Sequence, residues 1–226
     1  MNTMQAFLNV MAIIAVTLSV NPKSEACTRV VYAGRGNTTI TGRNLDWMAP
    51  IPTNLYVQPR GINRVSAQGD NALRWKSLYG SVVAVGYDMG VSEGMNERAL
   101  VCNLLYLPGT QYKMTKETRR PMSSSLWAQY ILDNYATVAD AVEGLSRDVF
   151  YIDAPDMPGG ASTTLHAALS DASGDCAIIE YTNGRIIIFH GRECRVLTNA
   201  PIYESQRTIE QYWSRIGGMK MHQQQQ

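Results

Sequence analysis

Cys27 stands directly after Ser24-Glu25-Ala26 at the end of an apolar leader, and from it the chain alternates with the period of a β-strand. Cys27, Arg29, Val31 and Ala33 fall on one face, and Thr28, Val30 and Tyr32 on the other. Gly34 to Asn37 has turn composition, and Thr38 to Leu45 resumes as a second strand, so the first prediction is a hairpin. The leader's apolar core, Phe7 to Val20, is the size of a signal-peptide core and falls short of the roughly 20 apolar residues a bilayer span takes. Ser24 and Ala26 put small residues at the positions a leader peptidase reads. Residues 1–26 are therefore expected to be a signal peptide, the protein to be exported (periplasmic or secreted), and Cys27 to become its first residue. No Lys or Arg precedes the apolar run, which keeps a buried N-terminal helix as the competing reading.

Removal of the leader leaves roughly 200 residues, enough for one domain with a substantial core. The formal charge of +1 carries no basic nucleic-acid footprint, and no second apolar stretch is long enough to span a membrane. The cysteines are Cys27, Cys102, Cys176 and Cys194, with no C-x-x-C pair, and His166, His190 and His222 do not cluster with them. A structural zinc site is thus not expected. Cys102 and Cys176 lie in apolar runs, where buried inert thiols are expected.

Further along, Asn54 to Gln58, Ser81 to Tyr87 and Leu100 to Leu107 read as strands, and Gly90 to Asn96 as turn-rich. The period then changes. Ser123 to Tyr135 carries Leu126, Tyr130 and Ile131 at helical spacing, and Thr137 to Asp140 resembles a capping box before a second helix containing Ala141, Val142 and Leu145. Asp153 to Ser162 is a Pro/Gly-rich loop. Four short strands follow (Leu165 to Ser170, Cys176 to Tyr181, Arg185 to His190, Arg195 to Thr198), joined in part by Asp171–Gly174 and Thr182–Gly184 turns, and Tyr203 to Ile216 is helical. Hairpin spacing between strands predicts an α+β fold of mainly antiparallel sheets over residues 27–221, with 222–226 a low-complexity tail.

A thiol and an α-amine on one residue would pair a nucleophile with a weak base. A free cysteine ionises near pH 8.5 and an α-amine near 8, so the amine can take the thiol proton. Across the predicted hairpin, Arg43 and Asp46 could reach Cys27, the first to stabilise a thiolate, the second to orient the α-ammonium. Taken alone, an Arg and an Asp three residues apart are more often a solvated surface pair.

Four ordered motifs carry a resemblance: Cys27-Thr-Arg-Val, Gly42-Arg-Asn-Leu-Asp-Trp47, Gly94-Met-Asn-Glu97 and Leu197-Thr-Asn-Ala-Pro201. Together they resemble the choloylglycine hydrolase family, which includes bile salt hydrolases and penicillin V acylases and belongs to the N-terminal nucleophile hydrolases. The resemblance implies a four-layer αββα sandwich and hydrolysis of linear amide C–N bonds through a thioester, with no metal or cofactor. It implies Cys27 as nucleophile, Arg43 beside the thiol, Asp46 at the amine, and an oxyanion hole from the Asn199 side chain and the Tyr106 N–H. Tyrosine at 106 leans toward the acylase branch. The implied partner is a small-molecule amide with an apolar acyl or steroid moiety (penicillin V, an N-acyl-homoserine lactone or a conjugated bile salt). Neither a nucleic acid nor a membrane span is implied, and a homo-oligomer is left open. The family pattern also runs on past Met221, with further strands and a second arginine, where this sequence has His222 and four glutamines. A sandwich lacking C-terminal elements is the expectation.

Two readings compete. Gly90-Val-Ser92-Glu-Gly94 matches the G-x-S-x-G elbow of serine hydrolases, which needs a strand before and a helix after. The other is an exported, non-catalytic binding protein on the same fold. For the remaining aromatic and apolar residues, Trp47 reads as packing, while Met48, Leu55, Tyr87 and Leu107 fit an acyl pocket or the core equally well.

Overall fold

The computed structural model describes residues 26–34, 38–47, 50–154 and 164–216. Residues 1–25 of the leader, residues 35–37 of the expected turn, Met48 and Ala49, most of the Pro/Gly-rich loop and residues 217–226 lie outside them.

Fourteen strands and three helices follow in order among the described residues. They are β1 (Thr28–Ala33), β2 (Thr39–Asn44), β3 (Thr53–Gln58), β4 (Asn63–Val65), β5 (Arg74–Lys76), β6 (Ser81–Gly86), β7 (Gly90–Asn96), β8 (Val101–Tyr106) and β9 (Arg120–Ser123). Then come α1 (Ser124–Asn134), α2 (Val138–Leu145), β10 (Phe150–Asp153), β11 (Leu165–Ser170), β12 (Cys176–Thr182), β13 (Arg185–His190), β14 (Val196–Thr198) and α3 (Tyr203–Ile216). A seven-stranded antiparallel sheet runs β13-β12-β11-β8-β7-β6-β3, and a three-stranded sheet runs β14-β1-β2. The β4–β5 hairpin and the parallel β9–β10 pair stand apart.

The side-chain period of two gives the large sheet two distinct faces. One face carries Val83, Cys102, Leu104, Leu169 and Ile179 against Trp127, Ile131 and Leu132 of α1. The other carries Leu105, Ala168 and Ile178 against Cys27, Val31 and Leu197 of the small sheet. Helices, sheet and sheet therefore stack as layers, the arrangement that lets each apolar face leave water. Gly94 permits the helix layer to close down: a Cβ there would meet the Val82 carbonyl at 2.7 Å and a Leu132 methyl at 2.9 Å.

Local chemistry sets several boundaries. Thr137 caps α2, its hydroxyl accepting from the Asp140 N–H at 3.1 Å. Asn183 and Gly184 both hold positive φ, 50° and 76°, the pair of values a two-residue hairpin turn demands between β12 and β13.

Two expectations are corrected. Residues 90–96 form strand β7 rather than a turn-rich segment, because Glu93, Gly94 and Met95 pair on both sides, with β6 and with β8. The glycines mark close packing, not chain reversal. The short β4–β5 hairpin was not anticipated, since three-residue strands carry too little alternation to register.

Candidate active site

Strand β1 is the middle strand of the small sheet, and its register places Cys27. Thr28 lies opposite Asn44 of β2 on one side and Thr198 of β14 on the other. One residue earlier, Cys27 emerges between the segment leaving β2, which holds Asp46, and the segment leaving β14, which holds Asn199. The end of β8 delivers Tyr106 from the opposing sheet, opposite Leu165 of β11. Residues distant in sequence thus converge because the start of β1 and the ends of β2, β14 and β8 meet at one rim of the sandwich.

The Cys27 thiol is buried and donates to the Asp46 carbonyl oxygen at 3.5 Å. In the amide orientation that satisfies both of its ends, Asn199 accepts from the Cys27 N–H at 3.2 Å and donates to the Tyr106 carbonyl at 3.3 Å. Asn199 is therefore within reach of both the cysteine nitrogen and the Tyr106 backbone. Asp46 offers its carbonyl to the thiol, and its carboxylate accepts from the Asn44 amide. Arg43 is almost fully enclosed, pairs with Glu93 at 2.9 Å, and keeps Nη2 buried without a partner.

Cys27, Arg43, Asp46 and Tyr106 line one cavity of about 290 Å³. Leu45, Trp47, Ile51, Met89, Val91 and Leu104 supply much of its wall. Such a pocket suits an apolar group held by a few polar ones. Trp47 is part of this wall and meets Tyr106 edge-on at 5.7 Å. Tyr87 also lines it. Leu55 lies instead on exposed β3, and Leu107 is buried away from the cavity.

Asn44 was quoted in a motif but given no task by sequence reasoning. It accepts from the Thr28 N–H at 2.7 Å and donates to the Ala26 carbonyl at 3.4 Å and to the Asp46 carboxylate. It thereby ties the peptide flanking Cys27 to Asp46. Its position directly opposite Thr28 is the signal that could have found it.

The serine elbow is excluded by geometry. Ser92 sits within β7, its hydroxyl donating to the Ala84 carbonyl at 3.2 Å, and β7 continues to a hairpin with β8 rather than to a helix. His166 bonds Glu180 in the interior and His190 bonds Asp175.

Cys102, Cys176 and Cys194 are buried free thiols. Burial pushes the Cys102 thiol up to about 12 and raises those of Cys176 and Cys194. A raised folded-state value keeps these thiols neutral and inert until the pH climbs through that range. At pH 8 in native buffer, a small alkylating agent is expected to mark Cys27 first, while the other three take label only after denaturant is added. Peptide mass mapping checks the order.

A family model described as linear amide C–N hydrolases, choloylglycine hydrolase family, matches residues 27–226. The chain belongs to that family. It is 40% identical over 221 residues to a penicillin V acylase from Pectobacterium atrosepticum, an alignment covering 93% of this chain and 58% of that protein. It is 25% identical over 183 residues to a bile salt hydrolase/transferase from Clostridium perfringens, covering 79% and 54% respectively. A solved penicillin V acylase from Agrobacterium tumefaciens superposes with a TM-score of 0.77 at 44% identity, covering 85% of this chain and 58% of that one. The chain thus spans less than two thirds of the length of these relatives. Its fold is that of the N-terminal nucleophile hydrolase sandwich, α+β with mainly antiparallel sheets.

Proposed function

We propose that this protein, once cut after Ala26 on export, hydrolyses linear amides with an apolar acyl group, Cys27 serving as nucleophile. The observation that carries this reading is the convergence of Cys27, Arg43, Asp46 and Tyr106 on one apolar cavity, with Asn199 bonded to the Cys27 nitrogen. The family match begins at Cys27, which agrees with cleavage there.

The Cys27 N–H is an amide while Ala26 precedes it. Cleavage turns it into an amine that can accept the thiol proton. The sulfur then bonds to the substrate carbonyl carbon, and the oxyanion is held by the second N–H of the Asn199 amide and the Tyr106 N–H; one such donor is worth roughly 3 to 4 kcal/mol. Collapse breaks the C–N bond, the amine leaves with the proton, and water hydrolyses the thioester. Arg43 supplies positive charge to the cavity, where low dielectric strengthens its hold on a thiolate. Asp46 orients the new amine. An acyl chain such as that of penicillin V would occupy the wall of Leu45, Trp47, Met89 and Val91.

The test is direct. Exported protein is expected to begin at Cys27 by intact mass and terminal sequencing, and to release free amine from penicillin V. A mature chain starting elsewhere that still turns over substrate sinks the mechanism. A correctly cut, folded chain that binds penicillin V without releasing amine would instead make it a binding protein on this fold.

A further inference from the structure

The register of β7 has a consequence for Arg43. Ala84 lies opposite Glu93, and the next residue, Val85, lies opposite Val91, so Ser92 is an extra residue bulged out of β7. Directly opposed residues share a face. Val85 and Val91 pack with the core beneath the helices, whereas Ala84 lies in the other row. Without the bulge, Glu93 and Val91 would share a face. With it, Glu93 turns toward the small sheet, beside its cross-strand partner Asn103.

Two arginines wait on the other side. Arg29 and Arg43 lie directly opposite each other on β1 and β2, an arrangement that repels. Arg29 is wholly buried, and desolvation lowers its affinity for the proton. Its Nε donates to the Asn103 side-chain oxygen at 3.2 Å, and the Asn103 amide donates to Glu93 Oε2 at 3.1 Å. The same oxygen accepts from Arg43 Nη1 at 2.9 Å. A relay Arg29–Asn103–Glu93–Arg43 therefore runs between the sheets and ends on a guanidinium that lines the Cys27 cavity.

We infer that Glu93, aimed by the Ser92 bulge and held by Asn103, is the positioning residue that points Arg43 at the cavity. This rests on the reading that Arg43 acts on Cys27. A plain inter-sheet staple would need only an ion pair of either geometry. A positioning role needs one oxygen at one place.

Two conservative variants separate these. Glu93→Gln keeps an oxygen where Oε2 stands and removes the charge. Glu93→Asp keeps the charge and draws it back by one methylene. The readout is the rate of Cys27 alkylation at pH 6 in the mature chain, followed by peptide mass, with Arg43→Ala as reference and thermal unfolding as the check on folding. This readout requires no substrate turnover. Positioning predicts that Glu93→Gln stays within about twofold of the parent or runs faster, while Glu93→Asp slows by about fivefold or more, toward the Arg43→Ala rate. The reverse order, Asp retaining the rate and Gln losing it, overturns the inference in favour of a bare charge effect. Unchanged rates in both Glu93 variants, with Arg43→Ala slowed, overturn it alone. An unchanged rate in Arg43→Ala removes the role of Arg43 and this inference together.

Discussion

Serine in place of Cys27 is expected to lower amide turnover by about a hundredfold or more while the fold survives. The two side chains differ by one atom, and the site around Cys27 is built from backbone and amide groups that a hydroxyl satisfies as well as a thiol. The Asp46 carbonyl can accept from either, and Asn199 addresses the nitrogen, not the sulfur. What changes is ionisation: a hydroxyl gives up its proton far less readily than a thiol, so a site that relies on a thiolate held beside Arg43 loses its nucleophile. The measurement is amine release from penicillin V by the parent and variant, with circular dichroism and the melting temperature compared. Undiminished hydrolysis by the serine variant would rule Cys27 out as nucleophile.

Asp133→Ala is expected to destabilise the chain by about 3–5 kcal/mol, the cost typical of removing one partner from a buried ion pair. Asp133 is completely enclosed near the end of α1. Its Oδ2 accepts from Arg64 at 2.7 Å and from the Trp75 indole at 2.8 Å, its Oδ1 accepts from Gln129 at 2.7 Å, and its backbone carbonyl accepts from Leu78 N–H at 2.8 Å. One carboxylate thus fastens the β4–β5 hairpin to the helix layer. Alanine would leave Nε of the mostly covered Arg64 and the Trp75 N–H without an acceptor, Arg64 Nη2 keeping only the Gln58 side-chain oxygen at 3.0 Å. For a chain of this size the loss corresponds to a fall of roughly 10 °C in Tm. Asp133→Asn, which keeps one oxygen, should lose less. Denaturant unfolding of the three proteins checks the order, and an alanine variant as stable as the parent would show that the hairpin is held by other contacts.

Much of the site's inventory could be read from residue order alone. Cys27 after a small-residue cleavage pattern, Arg43 and Asp46 one hairpin away, and Asn199 after a short strand are local signals. They are legible because strand alternation and turn composition are short-range properties. The α2 cap at Thr137 and the Asn183-Gly184 turn were legible for the same reason: each is decided by a side chain acting on its own backbone.

Other features had no local signature. Glu93 sits among glycines that look like a turn, and only pairing with β6 and β8 reveals a bulged strand. Trp47 and Tyr87 become cavity wall only when the two sheets face each other. Asp133 reads as an exposed helix acid until Arg64 and Trp75, roughly 60 to 70 residues earlier, fold over it.

Residue order by itself determined most of the strand and helix types, the family and the chemical identity of the groups that meet at the rim, because periodicity, capping and motif spacing act within a few residues. The tertiary structure alone decided which face each strand presents, which arginine is buried and which carboxylate reaches it. Those outcomes depend on register: a single extra residue in β7 turns Glu93 from the helix layer to the space between the sheets.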